Sequence, residues 1–238
     1  VSAAAQALPR VPGFECTAYA LLHGRIVWAG DAGATDHPRN LHRPWHPAAA
    51  TYEAERLRRG SQLVWPGLAH HGLKGLLAWL AGRPLAFGLQ PAQPRLEALR
   101  QALERHDLNA FEAAALRLLG IGHGLTPSGD DLVGAVMFTL VYAPIKAWQP
   151  AMADLQNRLR LAATTATNPI SAALLEDLMA GASYRALHDL LAALHSLDQQ
   201  LIQAAVQTLL RLGATSGGDM LAGVLLTLQN LEPAPDSP

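Results

Sequence analysis

The chain has 238 residues, half of them apolar, and a formal net charge of −1; that length can bury a real core in one large domain or two small ones. Lys, Arg, Asp and Glu are dispersed along it with no basic block to pair with a phosphate backbone, which argues against nucleic acid as a partner. The single cysteine, Cys16, rules out an internal disulfide and fits a reducing compartment. No uninterrupted apolar run of about 18 residues exists, and no basic region followed by a long apolar stretch opens the sequence. The reading is a soluble, cytoplasmic protein with no membrane partner.

From Val11 to Pro94 the sequence is rich in Gly, Pro, His and Trp. Short apolar runs at Thr17–Leu22, Arg25–Ala29, Gln62–Val64 and Leu85–Leu89 are strand-length and bounded by turn residues such as His23-Gly24 and Ala29-Gly30-Asp31. Tyr19–Trp28 reads as a hairpin. Lys74–Ala81 reads as a short helix, closed by Gly82 and stopped by Pro84. Residues 1–94 are therefore expected to form a β-rich module.

From Arg95 onward the texture turns Ala- and Leu-rich with helical periodicity. The expected helices are Arg95–Arg105, Leu108–Leu119, Asp130–Val141, Ala151–Ala163, Ile170–Ala180, Ser183–Leu194, Asp198–Arg211 and Asp219–Asn230, joined by the short connections that an antiparallel bundle needs. Leu132–Val141 and Met220–Leu228 are apolar on every face, the pattern of helices at the centre of a bundle. The tail, 232–238, is rich in Pro and expected to be flexible. The expected fold class is α+β: a β-rich N-terminal module, then a mostly α-helical domain over 95–231 with two buried central helices.

Those two helices open alike. Ser128-Gly129-Asp130-Asp131-Leu132-Val133 aligns with Ser216-Gly217-Gly218-Asp219-Met220-Leu221, each after a Thr (Thr126, Thr215). Ser-x-x-Asp before an apolar run is the spacing of a capping box, worth about 1 kcal/mol at each helix start. Capping leaves Asp130 unexplained, and it leaves the crowding of Gly120, Gly122, Gly124 and Gly129 at one start and of Gly213, Gly217 and Gly218 at the other. Glycine lets backbone approach a ligand, and a helix start offers free N–H groups and partial positive charge to phosphate or carboxylate. The spacing is neither a phosphate-binding P-loop nor a dinucleotide fingerprint. A third start, Thr164-Thr165-Ala166-Thr167-Asn168-Pro169-Ile170-Ser171, puts Asn168 at an N-cap and Pro169 at the first helical position.

The histidines add one candidate. His37, His42 and His46 lie with Arg39 and Arg43 at irregular spacing, as in a surface loop, and His70-His71 are adjacent. His188 and His195 are seven apart and share a helix face. His123, inside the Gly-rich loop, is the histidine expected to touch a ligand.

The run Gly120-Ile121-Gly122-His123-Gly124-Leu125-Thr126-Pro127-Ser128-Gly129-Asp130-Asp131 resembles the signature of a bacterial family long carried as a domain of unknown function, which includes a subunit of oxamate carbamoyltransferase from anaerobic allantoin breakdown. The resemblance continues through Asn168-Pro169-Ile170-Ser171-Ala172-Ala173-Leu174-Leu175 and Thr215-Ser216-Gly217-Gly218-Asp219-Met220-Leu221-Ala222-Gly223. His123 and Ala214 depart from the pattern, where Pro and His are expected. The resemblance implies a component of a carbamoyltransferase-type enzyme that acts on oxamate, oxalurate or a similar ureido acid with carbamoyl phosphate, together with other subunits.

On this reading Asp130, Asp131 and Asp219 are the catalytic candidates, orienting an amide or ureido nitrogen or accepting its proton. Gly122, His123, Gly124, Thr126, Ser128, Gly129, Asn168, Thr215, Ser216 and Gly217 are the ligand-binding candidates. Two alternatives stand beside it. One is a magnesium-dependent hydrolase with Asp130, Asp131 and Asp219 on the metal; the other is a non-catalytic metabolite-binding or assembly subunit. All three share one geometric expectation, that the two helix starts, 88 residues apart at their serines (216 − 128), open on one site.

Overall fold

The computed structural model describes residues 17–22, 25–31, 51–68 and 73–231. Cys16, His23, His37, His42, His46, the His70-His71 pair and the 232–238 tail lie outside the described residues. The chain divides into two compact units, Val1–Ala48 and Ala49–Pro238.

In the first unit, β1 (Thr17–Leu22) and β2 (Arg25–Asp31) pair antiparallel, Thr17 opposite Asp31 and Leu22 opposite Arg25, with an irregularity between Ala20 and Leu21. This two-stranded sheet holds all the strands among the described residues. The second unit is helical: α1 (Ala54–Gln62), α2 (Trp65–Leu68), α3 (Gly75–Leu80), α4 (Gln93–Glu104), α5 (Leu108–Leu118), α6 (Ser128–Tyr142), α7 (Met152–Ala166), α8 (Pro169–Met179), α9 (Arg185–Ser196), α10 (Gln199–Leu210) and α11 (Ser216–Gln229).

The α+β class and the β-rich module over 1–94 are thereby corrected. The described residues of 54–92 carry three helices and a 3₁₀ segment (Phe87–Ala92), and no strand. The run Gln62–Val64 is the end of α1 and the turn after it; Leu85–Leu89 is a turn entering the 3₁₀ segment, with Leu85 and Leu89 buried. A short apolar run marks only that a segment is buried, and its length does not separate a strand from a helix end. Helix α1 escapes periodicity because its buried face is Leu57, Gly60 and Ser61, with a single large apolar side chain.

From residue 93 on, the expected helices form, with ends displaced by a few residues. Helices α6 and α11 are the centre of the bundle: 128–140 and 217–228 are buried without a break. They pack most extensively on each other, and a Cβ at Gly223 would stand 2.5 Å from the carbonyl oxygen of Leu132. At the far end of α6, Phe138 and Tyr142 stack with His188 of α9, and Tyr52 links Tyr142 to His195. His188 and His195 do share a face, and it is a packed aromatic one; burial pulls the His188 pKa below its ordinary value. Among the described residues no single helix is long and apolar enough to cross a membrane.

Candidate functional site

The helix starts meet. Thr126 Oγ1 and Ser216 Oγ are hydrogen-bonded at 2.8 Å, 90 residues apart in sequence. The likeness of the two motifs extends into the helices before them. Ile121 N–H donates to Leu118 O and Leu212 N–H to Leu209 O, each bond reaching back three residues at a helix end. Gly129 N–H then donates to Ile121 O at 2.8 Å and Gly217 N–H to Leu212 O at 3.0 Å. A Cβ on Gly129 would run into the Leu118 carbonyl, and one on Gly217 into the Leu209 carbonyl. Gly122 and Gly213, one residue after Ile121 and Leu212, each face the serine that opens the next helix. Helix pairs α5–α6 and α10–α11 are thus built to one plan around their junctions.

These contacts reassign most of the glycines, because Gly129 and Gly217 let one helix start press against the end of the previous helix. We expect Gly129→Ala and Gly217→Ala each to cost about 1–3 kcal/mol through overpacking, read as a lower urea midpoint. Gly82→Ala is the comparison: its Cβ would meet nothing within 4 Å, so only its φ of +71° opposes the change, at about 1 kcal/mol.

The capping boxes are not formed. Pro127 and Thr215 are the N-caps and make no side-chain cap bond, and Ser128 and Ser216 lie inside the first turn. Early N–H groups are satisfied instead by backbone: Gly129 and Gly217 by the loop carbonyls, Asp130 and Asp131 by Pro127 O, Asp219 by Thr215 O. Of the first-turn amides expected to bind an anion, those of Gly129, Asp130 and Gly217 are therefore spent on the chain itself, and the serine hydroxyls are free to turn toward the opposite helix.

Two carboxyls receive them. Ser216 and Thr126 lie against Asp131, while Ser128 and Thr215 lie against Asp219; because Thr126 and Ser216 share one bond between themselves, only one of those two hydroxyls has a proton left for Asp131. Asp131 is 6% exposed and Asp219 fully buried. Each has an Oδ2 atom cut off from solvent with no hydrogen-bond partner. Burial, then the neighbouring Asp219 charge, holds the Asp131 carboxyl well above the usual range despite the two hydroxyls. Burial pushes Asp219 up to about 6, against the opposing pull of the Leu76 N–H and the hydroxyls of Ser128 and Thr215. That Leu76 N–H, at the start of α3, donates to Asp219 Oδ1 at 2.6 Å. Gly75 before it has φ +59°, and a side chain there would collide with the same carboxyl. Nothing in the sequence pointed to Gly75 or Leu76, which lie 143 residues from Asp219 at the hydrogen bond.

Asp130 points elsewhere. Its Oδ1 accepts from Gly120 N–H at 2.7 Å, and its Oδ2 from Ser171 Oγ at 2.6 Å and from Thr167 Oγ1. It ties the start of α6 to the Gly120 loop and to the start of α8. Asn168 is the N-cap of α8, accepting from Ile170 and Ser171 N–H, and its amide donates to Leu125 O at 2.9 Å. His123 and Gly124 are exposed, with His123 against Gly88 of the 3₁₀ segment. The motif residues thus divide into Asp131, Asp219, Thr126, Ser128, Thr215 and Ser216, which converge, and Asp130 and Asn168, which brace the loop beside them. No group of three or more His, Cys, Asp or Glu among the described residues could hold a metal ion, so the magnesium set Asp130–Asp131–Asp219 is not assembled.

Residues 118–228 match the family model described as oxamate carbamoyltransferase subunit AllH. The matched segment is similar to that family; it makes up just under half of the chain and runs from the end of α5 to α11, so both motifs and both acids fall within it. Leu76, whose N–H holds Asp219, comes from outside the matched segment. No curated protein and no solved structure matches the chain.

Proposed function

We propose that this chain is a subunit of a carbamoyltransferase-type enzyme, and that the paired starts of α6 and α11 hold its small amide or ureido acid, of the oxamate or oxalurate kind. The observation that carries the reading is the meeting of Asp131 and Asp219, two buried carboxyls that each keep an oxygen without a partner. A buried polar atom left unpaired costs about 1–3 kcal/mol, a cost that a ligand with complementary groups relieves. Carbamoyl transfer passes a carbamoyl group between nitrogen and phosphate. It develops charge on a carbonyl oxygen, which needs a hydrogen-bond donor, and it moves a proton at nitrogen, which needs an acceptor. Carboxyls that burial holds above their ordinary range suit both tasks. The hydroxyls of Thr126, Ser128, Thr215 and Ser216 orient the metabolite's polar ends, and Asp130 acts as a positioning residue that keeps the α6 start in place. The subunit name of the matching family supports partner chains that complete the enzyme and bring the phosphate.

The test is transfer from carbamoyl phosphate to oxamate, followed as phosphate release, by the protein assembled with its partner chains. Asp219→Asn is expected to lower turnover by about 100-fold or more. Full turnover in that variant, or in an assembly lacking this chain, would overturn the reading.

A further inference from the structure

The two acids are built to one plan but are not equivalent. Asp219 receives a backbone N–H, from Leu76 at 2.6 Å, in addition to two hydroxyls. Asp131 receives hydroxyls only, and it lies beside two other carboxyls, Asp219 and Asp130. The position equivalent to Asp130 in α11 is Gly218, where a Cβ would stand 3.2 Å from the Lys74 carbonyl oxygen, so no second acid crowds Asp219 from its own helix. No Lys, Arg or His of the helices packed around the pair acts on either carboxyl. Helices α3 and α10 contain no charged residue, Lys74 before α3 is exposed, and among the described residues the charges bearing on the pair are those of Asp130, Asp131 and Asp219. Hydrogen bonds from N–H favour an ionised carboxylate, while adjacent like charge favours the neutral acid.

We propose that Asp131 and Asp219 form a donor–acceptor pair for a single amide group, Asp131 giving an Oδ2–H to the carbonyl oxygen and Asp219 Oδ2 accepting from the N–H. The inference rests on the function proposed above and adds the assignment of roles within it. A carboxylic acid next to a carboxylate presents one donor and one acceptor side by side, the complement of an amide or ureido edge. As Asp219 takes the proton from the amide nitrogen, the charge left behind spreads onto that amide's own carbonyl oxygen, where the Asp131 donor stands. A simple carboxylate ligand offers two acceptors and no N–H, so it leaves Asp219 unsatisfied. The half-buried Thr126–Ser216 pair, which acts on Asp131, has to shift to admit the ligand.

The experiment is oxamate binding to the full-length protein in its assembled enzyme, by calorimetry from pH 5 to pH 9, with oxalate as the ligand that lacks N–H. Expected are at least tenfold tighter binding of oxamate than of oxalate at pH 7, and a loss of oxamate binding as pH falls through about 6, where Asp219 takes up a proton. Binding is expected to be lost again at whatever higher pH Asp131 gives its proton up. Asp131→Asn keeps a donor: it should bind within about tenfold of wild type at pH 7 and lose the alkaline limb. Asp219→Asn turns N–H against N–H and should bind at least tenfold more weakly than Asp131→Asn. Infrared difference spectra of the wild type at neutral pH, which need no folded variant, should show a carboxylic-acid band; where Asp131→Asn folds, that band should be absent from it. Oxamate binding that is flat across pH, equal losses in the two variants, or no such band would overturn the role assignment while leaving the transfer reading intact. Wild-type enzyme that transfers no carbamoyl group would instead remove the reading on which the assignment rests.

Discussion

The wild-type protein is expected to lose stability as pH rises from about 4 to above 6, by roughly 3 kcal/mol at Asp219 alone. An Asp131→Asn/Asp219→Asn double variant should lose much less over the same range. Asp219 titrates at about 6 in the folded chain, whereas an unfolded Asp titrates near 3.9. Between those values the folded state keeps a proton that the unfolded state has given up. Folded stability therefore falls with rising pH: the contribution is fully present below the unfolded pKa and gone above the folded one. Asp131, also raised, adds in the same direction. Paired surface carboxylates such as Glu55 and Glu97, which are lowered by Arg58 and Arg100, act oppositely but equally in both proteins, so the difference between wild type and variant isolates the pair. Urea unfolding at half-unit pH intervals measures it. Parallel curves for the two proteins would show that the acids carry no such cost. A buried pair that opposes folding at working pH is the pattern of a site kept for function at the expense of stability.

Asp130→Ala is expected to be the most damaging single change in the α6 start, at about 3–5 kcal/mol. Asp130 is 2% exposed and accepts from the Gly120 N–H and from the hydroxyls of Thr167 and Ser171, so its removal leaves three donors facing a void. The Gly120 N–H cannot turn to another acceptor, because Gly120 is pressed against the Ala166 carbonyl, with φ +75°. Hydrogen exchange should report the break as faster exchange at Gly120 and at the first turn of α8, with the α9–α10 region unchanged. Asp130→Asn retains an acceptor for Gly120 and should cost less. A stability change under 1 kcal/mol in Asp130→Ala would mean that these bonds do not brace the loop, and would return Asp130 to the candidates for ligand contact.

Much of the helical architecture was legible because helices are specified locally. Periodicity found α4 through α11, and the unbroken apolar character of Leu132–Val141 and Met220–Leu228 marked the two central helices, since only a helix surrounded by protein can be apolar all round. Asn168-Pro169 announced a helix start and forms one. Before residue 93 the same local logic found the hairpin of β1 and β2 and the short helix α3, but it missed α1 and read two apolar runs as strands. There, α1 buries small residues, and the runs at Gln62–Val64 and Leu85–Leu89 carry burial without a period. It also failed at the serines: Ser-x-x-Asp has capping spacing, but the caps were superseded when the loop carbonyls of Ile121 and Leu212 took the glycine N–H groups.

By itself, then, the sequence determined that α6 and α11 are central helices, that their starts are built alike, and which residues crowd those starts. Only the tertiary structure decided how the residues are divided. It sent Asp130 to Ser171 and Thr167, and it crossed Ser216 toward Asp131 and Ser128 toward Asp219. It also brought the Leu76 N–H, from outside every motif, to one acid and not the other. The reason is physical: spacing along a chain fixes what a side chain can do within its own turn, whereas hydrogen-bond partners and the charge state of a buried acid depend on groups that only packing brings near.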